Sequence, residues 1–347
     1  MSGKKFFIVG AGFVGWTLLD ALVAAGHTVT ALVRRESHAK DIEACGARAI
    51  LGDLHDATLI ADTVAQHDVV FHTATADDLP SAQAVLAGVR RRAERGDETV
   101  YIHTSGTSLL ADTSAGAFKS DKVYHDNVQA EIDSLPDSAP HRQIDLAILR
   151  ERAELASTGK AKIALMIPPL IYGTSHNRLT IQLPSLARYA LKHGQAAHVG
   201  QGKSVWSTVH VRDLARGYMT VLQHLESTPG SASADANPYF FCENTGDAEP
   251  SWGEMVGVMG GVFKEAGKVK EASTKVMPKE TYGDVFGPEF TEAVVGSNSR
   301  SRAVRLRELG WQPKEKSWKE SLVEDELPAI LKEDLSAYQG YAGAVAS

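Results

Sequence analysis

The residues with the clearest chemical meaning form a glycine motif near the N-terminus, Gly10-Ala11-Gly12-Phe13-Val14-Gly15. A short apolar run precedes the motif, and a segment of helical period follows it. Glycines at such a strand-to-helix turn let the backbone approach a pyrophosphate, whose charge is favoured at a helix N-terminus. The motif therefore predicts a dinucleotide site; a glycine-rich turn that serves packing alone is the alternative. The residues predicted to line the site are Gly10, Gly12, Phe13, Val14 and Gly15.

Two adjacent arginines, Arg34 and Arg35, close the second predicted strand, and Arg34 stands nineteen residues after Gly15. An acidic residue at this place accepts hydrogen bonds from a ribose 2′-hydroxyl, whereas arginine pairs with a 2′-phosphate. A guanidinium binds phosphate through bidentate, charge-assisted hydrogen bonds. The pair therefore predicts NADP(H) rather than NAD(H); two solvated loop arginines are the alternative.

Further candidates for cofactor contact lie where other predicted strands end. Asp53 follows the third strand, where a carboxylate can reach an adenine amino group or can instead cap the next helix. Small residues after the fourth strand leave room for a ribose, and a Pro-Pro turn closes the sixth. Ligands bind at this carboxyl edge in open α/β folds. The candidates are Asp53, Leu54, Thr73, Ala74, Thr104, Pro168, Leu170 and Ile171.

Short β-branched runs alternate with segments of helical period, which predicts successive βα units. The strands are nearly continuous apolar runs, as expected when helices cover both faces of a parallel sheet. The predicted class is α/β, a doubly wound parallel Rossmann sheet with a smaller C-terminal α/β lobe. We expect residues 1–174 to bind the dinucleotide and residues 175–347 to be mainly a substrate lobe, with segments at about 205–242 returning to the sheet. The main predicted strands are 6–9, 28–33, 48–51, 69–72, 100–103, 162–167, 205–209 and 239–242.

Several further motifs follow in a fixed order: Gly52-Asp53-Leu54, Tyr101-Ile102-His103-Thr104-Ser105-Gly106-Thr107, Pro168-Pro169-Leu170-Ile171-Tyr172-Gly173, Val209-His210-Val211-Arg212-Asp213-Leu214-Ala215 and Leu309-Gly310-Trp311-Gln312-Pro313. With the glycine motif, they resemble an extended short-chain dehydrogenase/reductase of the epimerase and dehydratase type, close to the NmrA-like and fungal epimerase-like members. The resemblance spans nearly the whole chain. It implies a Rossmann fold, a bound NAD(P) and, typically, a homodimer.

The family that the sequence resembles uses a Ser, a Tyr and a Lys, with the Tyr and Lys four residues apart on one helix face. The tyrosine donates a proton, and the lysine lowers the tyrosine pKa from about 10. By this resemblance, Ile148 stands at the tyrosine position and Arg152 at the lysine position. The usual proton donor is therefore absent, and Arg152 either binds ribose or phosphate or has a surface role. Gly106 stands at the serine position, and the neighbouring Ser105 and Thr107 are candidates to bind a substrate oxygen or to cap the strand end.

A polar stretch at 111–142 interrupts the βα pattern and is predicted to be a long loop that borders the site. Within it, three titratable side chains are adjacent, and Tyr124 is the candidate for the missing proton donor. The alternative is a set of solvent-facing or turn-forming residues. The stretch of three is Tyr124-His125-Asp126, and lesser candidates for binding a polar or acidic substrate are His141-Arg142 and His176-Asn177-Arg178.

The composition argues against several partner classes. A formal net charge of -7 gives no broad basic field, so no nucleic-acid or membrane partner is predicted. No stretch approaches the roughly 20 apolar residues of a membrane span, and glycines interrupt the N-terminal apolar run, unlike those of a signal peptide. Cys45 and Cys242 match no disulfide or metal-ligand spacing, so we expect a reducing cytoplasm and no metal.

Three functions remain open from the sequence. An NADPH-dependent reductase would deliver hydride to a carbonyl or activated double bond of a small molecule, chemistry that the cofactor supplies. The missing Tyr and Lys instead favour a non-catalytic NADP(H)-binding regulator of the NmrA-like kind. A redox-neutral epimerase, dehydratase or lyase is the third. The reductase is the prediction, because the chain after residue 173 is long enough for a substrate lobe.

Overall fold

The computed structural model describes residues 3–230, 236–246 and 248–341. Its strands, numbered along the chain, are β1 Lys5–Val9, β2 Thr28–Val33, β3 Arg48–Leu51, β4 Val69–His72, β5 Thr99–Thr104, β6 Tyr124–His125, β7 Ala161–Ile167, β8 Leu170–Tyr172, β9 Thr174–Ser175, β10 Arg178–Leu179, β11 Ala197–His198, β12 Thr208–His210, β13 Tyr239–Phe241, β14 Lys275–Val276 and β15 Ser301–Arg302. Its α-helices are α1 Phe13–Ala24, α2 Glu36–Ala44, α3 Ala57–Val64, α4 Leu79–Glu94, α5 Gln129–Asp133, α6 Arg142–Leu155, α7 Gln182–His193, α8 Val211–Ser227, α9 Trp252–Glu265, α10 Thr291–Gly296, α11 Val304–Glu308, α12 Trp318–Ser321 and α13 Leu327–Ile330. Among these described helices, none combines the length and apolar character that crossing a bilayer requires.

Seven parallel strands form the central sheet, in the order β13, β7, β5, β4, β1, β2 and β3. The central strands are buried, because α1 and α8 pack together against the sheet while α3, α4 and α6 pack in succession. The strand order reverses between β1 and β4, and ligands bind at such a reversal in doubly wound sheets. The predicted α/β class and parallel Rossmann sheet are confirmed.

A second hydrophobic core fills the C-terminal lobe and includes side chains of α7, α9 and α13. Trp206 and Trp252 meet edge to face in this core, with ring centroids 5.9 Å apart. Leu170 and Tyr172 precede the predicted boundary at residue 174 and already pack in the second core. Of the segment 205–242, β13 joins the central sheet beside β7, whereas β12 pairs with β8. The division at residue 174 stays a prediction.

The polar segment at 111–142 is more ordered than a simple loop. β6 pairs in parallel with β15, and α5 follows it. Asp112 anchors the segment to the C-terminal lobe, because its carboxylate accepts hydrogen bonds from the backbone N and from Nδ2 of Asn298 at 2.9 and 3.0 Å. Contacts with distant parts of the chain therefore satisfy polar groups that the local sequence leaves without a partner.

A buried carboxyl near the C-terminus makes the stability of the fold depend on pH. Glu326 is fully buried at the end of the π-helical turn Leu322–Glu326, and its Oε1 accepts the backbone N–H of Gly173 at 3.0 Å. Burial raises the pKa of Glu326 to about 8. Because the folded-state pKa lies above the unfolded one, the stabilisation is complete at low pH and is lost as pH rises through about 8.

We therefore expect Glu326→Gln to become more stable than the wild type as the pH is raised. Glutamine keeps the acceptor for Gly173 but carries no ionisable proton. The difference in unfolding free energy between the two proteins should change in favour of the variant by ~1 kcal/mol or more between pH 5.5 and pH 8.5. Urea unfolding at both pH values measures it, and a difference independent of pH would contradict the prediction.

Candidate active site

The glycine motif forms a tight turn. A side chain at Gly10 or Gly15, two of its three glycines, would clash with neighbouring atoms. Gly10 has a φ of +93°, and a Cβ built on it would lie 2.4 Å from the Cα of Ala74. A Cβ on Gly15 would lie 2.1 Å from the carbonyl oxygen of Gly10 and 2.4 Å from Oγ1 of Thr73. Thr73 Oγ1 also donates a hydrogen bond to the Gly10 carbonyl at 2.8 Å. The ends of β1 and β4 are therefore locked together at the reversal of strand order.

The second glycine of the motif faces open space instead. A Cβ on Gly12 would meet no protein atom within 4 Å. Phe13 and Val14 follow in the first turn of α1. The helical hydrogen bonds begin at Trp16, whose N–H donates to the Gly12 carbonyl. The preceding N–H groups of the helix have no intrahelical acceptor. This open, donor-rich turn fits a pyrophosphate, as the sequence predicts.

A group of basic side chains borders the end of β2. Arg34 and Arg35 are exposed there. Arg178 reaches the same place from β10, with its guanidinium 4.8 Å from the ring centre of Trp16, and donates a hydrogen bond to Nε2 of His38 at 3.1 Å. Burial, and then the charge of Arg35, lowers the pKa of Arg178. These side chains, called the basic cluster below, are Arg34, Arg35, His38 and Arg178.

The hairpin of β9 and β10 brings Arg178 to this cluster. His176 and Asn177 form its turn and both have positive φ, of 49° and 57°. This conformation is that of the tight turns that match strand twist. The hairpin lies on α1: the His176 ring stacks on Trp16 with centroids 4.0 Å apart, and Nε2 of His176 is 2.6 Å from a carboxylate oxygen of Asp20.

The third strand ends at an exposed carboxylate. Asp53 Oδ1 accepts a hydrogen bond from the backbone N–H of His55 at 2.7 Å. The N-cap of α3 is Asp56, so the helix-capping alternative for Asp53 is wrong. Leu54 is half-buried and packs on the first core. Asp53 remains placed at the carboxyl edge of the sheet, and its contact with adenine stays a prediction.

Hydrogen bonds join the end of β5 to α8 and to the turn after β7. The hydroxyls of Thr104 and Tyr218 are 2.6 Å apart, and the Pro168 carbonyl accepts the N–H of Thr107 at 3.0 Å. Ile171 packs half-buried on the first core. Leu170 is a correction to the predicted cofactor site: its side chain is fully buried in the second core, and its N–H donates to the Ser207 carbonyl.

One of two buried side chains after β5 meets a carboxylate from α6. Ser105 is buried, and its Oγ donates a hydrogen bond to Oδ2 of Asp145 at 2.9 Å. Burial raises the pKa of Asp145 to about 7, although the hydrogen bond from Ser105 lowers it. Thr107 is also buried, and within the described structure its Oγ1 has no hydrogen-bond partner. The predicted residues Ser105 and Thr107 therefore both lie at this strand end.

A histidine stands over the same strand end. His141 immediately precedes α6, and its Nδ1 lies 2.6 Å from Oδ1 of Asp77 in the loop after β4. The opposite ring nitrogen, Nε2, lies 3.1 Å from where a Cβ on Gly106 would be. Asp77, His141, Ser105 and Asp145 thus converge at the carboxyl ends of β4 and β5. The arrangement can orient an imidazole and exchange a proton at Nε2.

Comparison with known proteins agrees with this geometry. The model of the NAD dependent epimerase/dehydratase family matches residues 6–233. The chain belongs to this family. An oxidase, ucsJ, from Acremonium sp is 30% identical over 272 residues, which are 73% of this chain and 76% of that protein. A 2-alkyl-3-oxoalkanoate reductase from Stenotrophomonas maltophilia (strain K279a) is 28% identical over 65% of this chain and 66% of that protein.

Solved structures support the fold. The UDP-glucose 4-epimerase of Thermotoga maritima superposes with a TM-score of 0.66 over 94% of this chain and 99% of that one, at 16% identity. Such low identity shows the fold alone. The family and its reductase relatives make the chain an NAD(P)-dependent enzyme of the short-chain dehydrogenase/reductase type, with an oxidoreductase-like role.

The position predicted for the family's lysine is a second correction. Arg152 lies eleven residues after His141 on α6, which corresponds to roughly 16 Å along a helix. There it donates a hydrogen bond to the Ala236 carbonyl, just before β13 begins. The amino end of β13 lies at the edge of the sheet opposite the glycine motif. Arg152 is therefore placed away from the cofactor site, and Ile148 is fully buried in the core.

Tyr124 is not among the side chains that meet near Gly106. It is half-buried in β6, where its N–H donates to the Arg300 carbonyl and the Lys122 ammonium lies 4.6 Å from its ring centre. Its role as a proton donor stays a prediction. Sequence reasoning placed His141 only among the lesser substrate contacts and missed Asp77 and Asp145. The available signal was the spacing of His141 and Asp145, four residues apart like the family's Tyr and Lys.

Proposed function

We propose that the protein is an NADP(H)-dependent oxidoreductase that reduces a carbonyl group or an activated double bond of a small molecule. The observation that carries the cofactor assignment is the basic cluster at the end of β2. Arginine at this place suits a 2′-phosphate and cannot accept the hydrogen bond that a ribose 2′-hydroxyl offers. Arg178 adds a partly buried positive charge that burial and Arg35 both disfavour, and a bound dianion would relieve that cost.

The glycine turn would hold the pyrophosphate between the open face of Gly12 and the first turn of α1. Asp53 would accept a hydrogen bond from the adenine. Reduced nicotinamide supplies hydride when it is bound. The carboxyl ends of β4 and β5, where His141 and Asp145 meet, are then the place for the reacting carbon.

Turnover rather than sensing is supported by those same side chains. A protein that only registers cofactor occupancy has no need of an oriented imidazole beside a buried carboxyl at that end of the sheet. Here Asp77 holds His141, and Asp145 holds Ser105. Burial raises the pKa of the Asp145 carboxyl, and buried carboxyls with a raised pKa are common at catalytic sites. Relatives that are named as reductases support a reaction in the reducing direction.

The test is a calorimetric titration of the purified protein with NADPH and with NADH, followed by a screen of NADPH oxidation against aldehydes, ketones, quinones and enones. We expect NADPH to bind at least 10-fold more tightly than NADH, about 1.4 kcal/mol, and expect oxidation with a subset of the panel. Equal affinities would contradict the NADP(H) assignment. Tight binding without oxidation of NADPH by any compound would contradict the reductase.

A further inference from the structure

The residues at the start of α6 differ from the family pattern in type but keep its spacing. His141, directly before the helix, and Asp145, in its first turn, lie four residues apart. The structure brings both to the end of β5, where Ser105 and Gly106 lie. By resemblance, Gly106 at this strand end stands at the position of the family's serine.

We propose that His141 is the proton donor of this enzyme, oriented by Asp77, and that Asp145 positions Ser105 to bind the substrate oxygen. The inference rests on the proposed function, because a proton is needed only where hydride is transferred. It replaces the tyrosine and lysine of the family by a histidine and an aspartate at the same helical spacing.

The chemistry balances for a carbonyl substrate. The carbonyl carbon accepts hydride from reduced nicotinamide and forms the new C–H bond, while the C=O π electrons move to oxygen. That oxygen takes the proton from Nε2 of protonated His141. The products are an alcohol, oxidised nicotinamide and a neutral imidazole, which solvent reprotonates. Asp77 accepts the hydrogen bond from Nδ1–H throughout, so Nε2 is the nitrogen that gives up its proton.

The backbone of His141 supports a functional role. His141 has a φ of 66°, in the left-handed region that disfavours residues with a Cβ. Glycine or asparagine adopts this conformation at lower cost than histidine. Strained residues of this kind persist where the side chain has a task that the strain serves.

Asp145 acts through Ser105. The carboxyl is 1% exposed and accepts the Ser105 hydroxyl proton at 2.9 Å, while its Oδ1 has no partner in the described part of the chain. When Asp145 is protonated, its own O–H can donate to Ser105 and free the serine proton for a substrate oxygen. Burial holds the pKa of Asp145 near 7, so both forms are present at neutral pH.

The decisive variant is His141→Asn, because asparagine tolerates positive φ and the helix start is retained. We expect NADPH oxidation with the best substrate of the panel to fall at least 100-fold, the usual loss on removal of a general acid. NADPH affinity should stay within about 2-fold, as no cofactor contact is removed, and the melting temperature should stay equal or rise.

Matched variants separate this result from a general loss of structure. His193→Gln removes a second His–Asp pair, in which Nε2 lies 2.8 Å from Asp284, and should leave turnover unchanged. Tyr124→Phe tests the tyrosine predicted from the sequence. Loss of turnover in Tyr124→Phe but not in His141→Asn would overturn the proposal. Tight NADPH binding with no reduction by the wild type would overturn it too, while failure to bind NADPH would instead remove the proposed function.

A readout without substrate tests the role of Asp77. Nitrogen-15 spectra of the histidine rings in the unliganded protein report which ring nitrogen carries the proton. We expect neutral His141 to be the Nδ1–H form in the wild type and a mixture of the two forms in Asp77→Asn, with the kcat of that variant lowered more than its KM. An unchanged ring spectrum in Asp77→Asn would contradict the orienting role.

Discussion

Replacing Gly12 by alanine is expected to weaken NADPH binding at least 100-fold, about 2.7 kcal/mol, with little loss of thermal stability. The added Cβ meets no protein atom within 4 Å, and the backbone of Gly12, at φ -82° and ψ -149°, lies near the edge of the β region, so alanine adopts it at small cost. The methyl group would instead fill the space where a pyrophosphate approaches the helix N-terminus. Calorimetric titration and a thermal melt of the same sample measure both effects.

Two other glycines make the test specific. Gly15→Ala puts a Cβ 2.1 Å from the Gly10 carbonyl oxygen, so we expect it to lose binding and stability together. Gly257→Ala adds the same methyl group in open space on α9, in the C-terminal lobe. It should leave NADPH binding unchanged and slightly raise stability, as alanine does in a helix. Unchanged NADPH affinity in Gly12→Ala would contradict the placement of the pyrophosphate.

The strands of the central sheet could be predicted from the sequence, because buried parallel strands consist of nearly continuous apolar runs. The strands predicted at 48–51 and 69–72 agree with β3 and β4 to the residue. The glycine turn was also readable, since its requirement for small residues is local. The strand predicted at 205–209 was less accurate: it is β12, Thr208–His210, which pairs with β8 outside the central sheet.

The start of α6 was not readable in the same way. The helix begins at Arg142, directly after His141, a residue with positive φ. Histidine adopts that conformation less often than glycine, so the local sequence gives little sign of it. The pair assigned by resemblance, Ile148 and Arg152, lies seven residues, about two helical turns, beyond the proposed pair His141 and Asp145. The partner Asp77 comes from another loop and is visible only in three dimensions.

The basic cluster shows the same limit, because one of its members comes from the other half of the chain. Arg34 and Arg35 follow β2 directly, but Arg178 reaches them only because its hairpin lies on α1. From the sequence alone, the polar residues of such a tight turn are expected to be exposed to solvent. Stacking of Arg178 on Trp16 and its hydrogen bond to His38 instead fix the guanidinium beside the end of β2.

The second large effect is expected at this cluster. Arg34→Ala should weaken NADPH binding about 10- to 100-fold, the value of a lost charge-assisted hydrogen bond of roughly 1.5–3 kcal/mol, and should change NADH binding much less. We expect Arg178→Met to do the same, because methionine retains apolar contact with Trp16 while it removes the charge. The measurement is a titration of each variant with both nucleotides.

Arg91→Met is the matched control, because it removes an exposed arginine that pairs with Asp62 on the surface. We expect it to bind both nucleotides like the wild type. Salt should weaken NADPH binding less in Arg178→Met than in the wild type, since one fewer charge faces the phosphate. Equal losses of NADPH and NADH affinity in Arg178→Met would mean that Arg178 supports the hairpin rather than the 2′-phosphate. A loss confined to NADPH would assign the C-terminal lobe a direct part in choosing the cofactor.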